Sequence, residues 1–330
     1  MATFKEIRGF KIKSLATDPS SLAEGQIWYN STSGTLKVSP LNAAAWAAGG
    51  TMSTARYSLA SAGTTTAALA FCGRASPIYS VTEEYDGSAW TGGGAYPDTL
   101  NELGGCGTHT AALGAGGLDP GSPPEVATVA EYNGTAWTAG TSLPTATLGG
   151  GLAGITTAAL YAGGNVTGSL VNTSYHYNGS WTAGGAMTTV RSLFGVNGVQ
   201  TAAIVTGGRS TPGTETAINA CEEYGGSAWT AGGNYPTVIK QTQPGSAGTQ
   251  SSQIVAGGSI PAQTTNANTY DGTSYSATTS LATARTGHAA GNNQPDNSAA
   301  IMFAGSAPGA SATSEVYSEA AVGTKTITTS

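Results

Sequence analysis

The side chains best placed to do chemistry in this chain are few, and several recur in phase. Four cations, Arg56, Arg191, Lys240 and Arg285, follow short links such as "MSTAR", "MTTVR" and "LATAR". Two acidic pairs, Glu83-Glu84 and Glu222-Glu223, and the single Glu131 precede a tyrosine. A set of guanidinium and ammonium groups at one level of a repeat could form a cationic rim for an acidic sugar or a partner carboxylate. The glutamates read as outward-facing strand positions, and they lack the Asp/Asn/Gly spacing of a calcium loop. The three histidines, His109, His176 and His288, do not share one repeat position, and two of them, His109 and His288, fit inner strands. Cys72, Cys106 and Cys221 are far apart with no CxxC, so they form neither a disulfide framework nor a zinc site. HExxH, GxSxG and P-loop motifs are absent. The expectation is therefore no catalytic residues, no metal and no cofactor.

The elements that must carry these residues are repetitive. "EYNGTAWTAG" at Glu131 has relatives at Glu84, His176 and Glu223. Apolar octets ending in Gly begin at Thr66, Thr110, Thr157 and Thr201, with looser copies at Ser251 and Ser298. Trp46, Trp90, Trp137, Trp181 and Trp229 are followed by Tyr275 in the same slot, in steps of 44, 47, 44, 48 and 46 residues. That is the period of a four-stranded propeller blade. Asp-Gly, Asn-Gly or Gly-Gly pairs between Tyr and Trp suit tight type I′ hairpin turns. The octets are too short for helices and suit strands buried on both faces. One Tyr and one Trp per unit would pack between neighbouring sheets.

The expected fold is all-β, a six-bladed β-propeller with four-stranded blades. Strand a follows the Arg-bearing link, b is the octet, c carries the Tyr and d begins at the Trp. The sixth unit lacks its own Trp, so the segment around Trp46 is expected to supply its d-strand beside Tyr317, closing the ring and hiding an edge. The propeller would span residues 45–320. A module with a hairpin over Gly25–Val38 would occupy residues 1–44, and a tail residues 321–330.

Composition limits the partners. Gly accounts for 49 of 330 residues, only 9% are charged, and the net charge is −6. Clustered cations drive nucleic-acid binding, so none is expected. No apolar run approaches a membrane span, and the N-terminus has no apolar signal core.

The pattern of a Gly pair, then Tyr, then Trp resembles the kelch family. "GG…HYNGSW" from Gly163 to Trp181 and "ARTGHAAG" from Ala284 to Gly291 carry the likeness. Here Tyr and Trp lie closer together than in most kelch repeats. Galactose-oxidase-like enzymes share that fold and use a copper site of Tyr and His ligands, which three scattered histidines do not assemble. The first 45 residues hold 8 charged residues with net +2. With their Gly/Thr-rich continuation they resemble tail-associated structural proteins of bacteriophages, marine ones especially. The resemblance implies a non-enzymatic virion component, an adhesin, fibre or decoration subunit present in several copies. It would be docked on other virion proteins through residues 1–44 and would touch host protein or glycan through the propeller. A bacterial kelch-like carbohydrate-binding protein or enzyme is the alternative.

Overall fold

The computed structural model describes residues 12–121, 124–211, 216–240, 245–260 and 262–327. They contain no helix and fold largely into four-stranded sheets. The chain divides into two compact units. One runs from Trp46 to Ser318; the other joins the N-terminal residues through Ala45 to the chain from Glu319 on.

The larger unit repeats one pattern. Sheet 1 comprises Ala60–Thr64, Ala67–Phe71, Thr82–Tyr85 and Trp90–Gly92. Sheet 2 comprises Gly104–Thr108, Ala111–Ala115, Val129–Tyr132 and Trp137–Ala139. Sheet 3 takes Gly151–Ile155, Ala158–Ala162, Ser174–Tyr177 and Trp181–Ala183, and sheet 4 takes Gly195–Val199, Ala202–Thr206, Cys221–Tyr224 and Trp229–Ala231. Sheet 5 is built from Ser246–Gly248, Gln253–Ala256, Ala267–Tyr270 and Tyr275–Ala277. Sheet 6 has Ala289–Ala290, Ala299–Phe303 and Ser314–Ser318, with Ala45–Ala48 as its fourth strand. Trp46 thus lies beside the strand of Tyr317, with ring centroids 5.1 Å apart.

The inner strand of each sheet lies against that of the next, and Ala289–Ala290 neighbours both Ser246–Gly248 and Ala60–Thr64. Small residues allow this crowding. Gly105 of sheet 2 faces the Ser61 backbone of sheet 1 so closely that an added Cβ would lie 2.6 Å from its carbonyl. A backbone hydrogen bond repeats at each junction. The last glycine of each octet donates its N–H to the link carbonyl before the next inner strand. Gly73 reaches Leu100, Gly117 reaches Thr147 and Gly164 reaches Arg191. Gly208 reaches Ile239, Gly258 reaches Arg285, and Gly305 reaches Arg56, all at 2.8 Å.

The Tyr and Trp of each unit bind sheets together. The Tyr132 hydroxyl donates to Glu84 of the preceding sheet, and those of Tyr177 and Tyr270 donate to Glu131 and Glu223 at 2.6 Å. Tyr224 meets His176 at 2.8 Å, and Tyr317 meets Thr278 at 2.8 Å. Trp137 packs on Phe71 at 4.7 Å and donates its indole N–H to Thr82 Oγ1 at 3.0 Å. Truncating this interlocked indole to alanine is expected to cost about 3–5 kcal/mol. Chemical denaturation of Trp137→Ala checks it; a loss below about 1 kcal/mol would place the ring outside the energetic core.

The Tyr–Trp hairpins differ from the two-residue turn expected of them. Tyr85 pairs with Trp90 and Tyr132 with Trp137, leaving four loop residues. Only the glycine has positive φ, +96° at Gly87 and +89° at Gly134. Asp86 Oδ1 accepts the N–H groups of Ser88 and Ala89 at 2.8 Å, and Asn133 Oδ1 those of Thr135 and Ala136. The Asx side chain satisfies the loop's amides, so the longer turn forms without strain.

In the smaller unit, Ile27–Asn30 and Thr35–Val38 form the expected hairpin, with Ile27 opposite Val38. Lys13–Leu15 adds a parallel strand. Most of "FKEIRGFKIK" lies outside the described residues. The segment expected as a tail is paired here: Val322 lies opposite Leu41, and Lys325 opposite Val38. Asp18 organises the interior face, accepting from Trp28 Nε1 at 3.0 Å and Asn30 Nδ2 at 2.7 Å, with Lys37 Nζ 3.5 Å away.

Candidate functional site

The three arginines expected at a cationic rim are buried instead. Arg56, Arg191 and Arg285 have no exposed surface. Arg56 Nη1 donates to Glu83 Oε1 at 2.7 Å, Arg191 Nη2 to Glu222 Oε1 at 2.5 Å, and Arg285 Nη2 to Glu315 Oε1 at 2.8 Å. Each carboxylate also takes the N–H groups of its own link. Glu83 accepts from Ser53 and Thr54, Glu222 from Thr188 and Thr189, Glu315 from Ala282 and Thr283. The second Arg nitrogen reaches backbone carbonyls, those of Gly207 and Ala220 for Arg191. Desolvation raises the Glu222 carboxyl pKa, but the Thr188 hydrogen bonds and the Arg191 charge outweigh it and hold the group below its usual value. The chemistry of these pairs is structural: a buried charge must be matched, and here both members are.

Lys240 does not belong to this set. The link carbonyl that accepts from the last glycine of an octet is that of Arg56, Leu100, Thr147, Arg191, Ile239 or Arg285, so Ile239 fills the arginine position of sheet 5. Lys240 stands one residue later, half-buried and bridged to Ser259. Tyr57, bridged to Arg74, and Ser192, bridged to Arg209, hold the same position in their sheets. Arg74 and Arg209, each directly after the last glycine of an octet, are cations absent from the expected rim. Their fixed offset from that glycine is the signal that marks them.

Arg74 opens onto a cavity of about 200 Å³ lined also by Tyr57, Ser58, Glu102, Leu193 and Thr286. A second series of backbone bonds joins residues of its lining through Gly149. Ser58 N–H donates to Gly287 O at 2.7 Å, Glu102 to Ser58 at 2.9 Å, Gly149 to Glu102 at 2.8 Å and Leu193 to Gly149 at 2.9 Å. All five residues sit in the left-handed region, with φ between 52° and 65°. The Arg74 guanidinium lies 5.0 Å from the centre of the Tyr57 ring, a cation–π distance. Its Nε has no hydrogen-bond partner.

The inner strands are closed off elsewhere along their length. Asn292 Nδ2 donates to Gly105 O at 2.8 Å and to Ser61 O at 3.3 Å. Asn197 Nδ2 donates to Ser246 O and to Asn292 O, while its Oδ1 accepts from Gln253 at 2.7 Å. The space left among Cys106, Leu152, Asn197 and Asn292 is about 10 Å³, no more than one water needs.

The remaining candidates stand apart. His109 occupies the turn after Gly104–Thr108 rather than the strand, and His288 directly precedes Ala289. His176 takes the slot that Glu84 and Glu131 hold in their sheets. The three cysteines are buried thiols, and burial pushes that of Cys106 up to about 12. Among the described residues no three His, Cys, Asp or Glu side chains cluster as metal ligands. No protein-family model matches the sequence, and no curated protein matches it.

Proposed function

We propose that the protein is a non-enzymatic structural component of a bacteriophage particle, a tail-associated adhesin, fibre or decoration subunit. In this reading sheets 1 to 6 are the blades of a closed kelch-like propeller. The observation that supports the fold is the hydrogen bond from the last glycine of each octet, which recurs at six junctions and returns from Gly305 to Arg56. The functional half is supported by how the charged residues are used. Three Arg–Glu pairs fasten links to sheets, and Tyr–Glu bonds fasten sheet to sheet. The chain's strongest polar chemistry is thus spent on rigidity, which suits a projecting, exposed part.

The smaller unit is the docking element. Its hairpin turns Trp28 and Asn30 inward and leaves Ile27 and Tyr29 exposed at 46% and 41%. Exposed apolar groups on a small sheet suit burial against another virion protein. Replacing both Ile27 and Tyr29 by aspartate leaves the inward face intact and is expected to cut incorporation into particles by about tenfold or more. Quantitative mass spectrometry of purified particles measures this. Wild-type chain absent from the particles would end the virion reading.

The second reading, a kelch-like carbohydrate-binding protein, draws on the cavity beside Arg74. Glycan binding by free chains, with none on particles, would favour it.

A further inference from the structure

We propose that the cavity lined by Tyr57, Arg74, Glu102 and Leu193 is a binding site for a single acidic sugar residue. The inference specifies what the recognition face of the proposed adhesin would hold. It is tested on the isolated chain and does not depend on where that chain resides.

The first argument is the backbone. Gly149 and Gly287 adopt this backbone conformation with no side chain. Ser58, Glu102 and Leu193 nevertheless carry side chains at φ 52°, 54° and 55°, where L-residues are disfavoured. All three line the cavity. Strain of this sort gathers where a side chain is wanted for more than folding. Leu193 is the clearest case, since its side chain gains no local hydrogen bond that could offset the conformation, as Asn or Asp would.

The second argument is the mixture of groups. The Arg74 guanidinium lies over the Tyr57 ring and lines the cavity, where its charge can meet a carboxylate. Glu102 lines the same space, and a bare anion would meet its charge. A ligand carrying both a carboxylate and hydroxyl groups presents a group of suitable kind to each. The hydroxyl groups of Ser58, Thr286 and Ser306 add polar partners, and Leu59, Leu103 and Leu193 supply an apolar wall for ring C–H groups. A hexuronic acid has this combination; an aspartyl peptide or inorganic phosphate lacks one part of it. The cavity is concave and small, with few polar groups against an apolar side, as sugar-sized sites are.

The test is calorimetric titration of the full chain with glucuronic and galacturonic acids, each against its neutral counterpart, glucose or galactose. The same acids carried on an immobilised oligosaccharide separate a glycan end from a free monosaccharide. At least one acid is expected to bind about tenfold or more tightly than its neutral partner, the worth of one charge-assisted hydrogen bond. Arg74→Gln should remove that preference while the melting temperature stays near wild type. Equal affinity for acid and neutral sugar, an Arg74→Gln variant that binds normally, or an acetylated aspartyl peptide binding where no uronic acid does would each overturn the proposal. Particle location bears on none of these results, so failure here and failure of the virion reading are told apart.

Discussion

Glu222→Ala is expected to destabilise the protein by about 3–5 kcal/mol, because it strands the Arg191 guanidinium in an interior with no counter-charge. The loss exceeds that of an ordinary surface carboxylate for two further reasons. Glu222 also holds the Thr188 and Thr189 N–H groups of the link, and its own surface is 1% exposed. Sheet 2 indicates the rescue. It carries Leu100 where sheet 4 has Arg191, and Ala130 where sheet 4 has Glu222, and both are buried. The double variant Arg191→Leu/Glu222→Ala should therefore recover most of the stability, since an apolar pair replaces a costly ionic one without leaving a charge unmatched. Urea unfolding of wild type, both single variants and the double variant makes the cycle. Additive losses in the double variant would show that the pair is not coupled. The same variants separate stability from recognition: ligand binding by correctly folded double variant should match wild type, because neither side chain reaches the surface.

His288→Leu is expected to make the protein more resistant to acid. The imidazole is wholly buried between sheets 5 and 6, against Gly257 and Gly305, and neither ring nitrogen has a hydrogen-bond partner. Burial first, and the Arg285 charge second, lower its pKa to about 3. In the unfolded chain the same group titrates near 6.5. The folded state therefore keeps His288 neutral while the unfolded state takes up a proton. Stability is lost as pH falls below about 6.5, at up to about 1.4 kcal/mol per unit, until the folded group itself titrates near 3. Between pH 7 and 5 the loss is about 2 kcal/mol. Leucine at 288 copies Leu59 and Leu103, which directly precede the inner strands of sheets 1 and 2 and are buried. Urea midpoints at pH 7 and pH 5 should converge in His288→Leu and stay apart in wild type. Parallel shifts in both proteins would mean that other groups carry the acid response. Glu222, whose pKa is lowered, contributes only lower on the scale.

Much of the architecture could be read from the chain because it is written several times. The Tyr and Trp spacing locates the third and fourth strands, the Gly-ended octets locate the second, and the missing sixth Trp points to Trp46. The site was harder, for reasons of side-chain direction. In "EEY" the two glutamates face opposite ways, as strand geometry requires. Glu83 therefore turns inward to Arg56 while Glu84 turns toward Tyr132. One correlation was available: a link carries Arg only where the residue two before the Tyr is Glu, at Glu83, Glu222 and Glu315. Where that residue is Ala130, Tyr175 or Asn268, the link has Leu100, Thr147 or Ile239. Spacing also separates Lys240 from the arginines: each link residue stands ten after the Trp or Tyr that opens the preceding fourth strand, and Trp229 leads to Ile239. The cavity beside Arg74 could not be read at all, since it depends on left-handed backbone at Ser58, Glu102 and Leu193, residue types that do not announce that conformation.

The composite make-up of sheet 6 sets the order of events during synthesis. Ala45–Ala48 leaves the ribosome near the beginning and must wait for Ser314–Ser318, a delay of roughly 10–50 s at ~5–20 residues per second. Until then Ala45–Ala48 lacks its partner strand, which a neighbouring chain on the same message could supply.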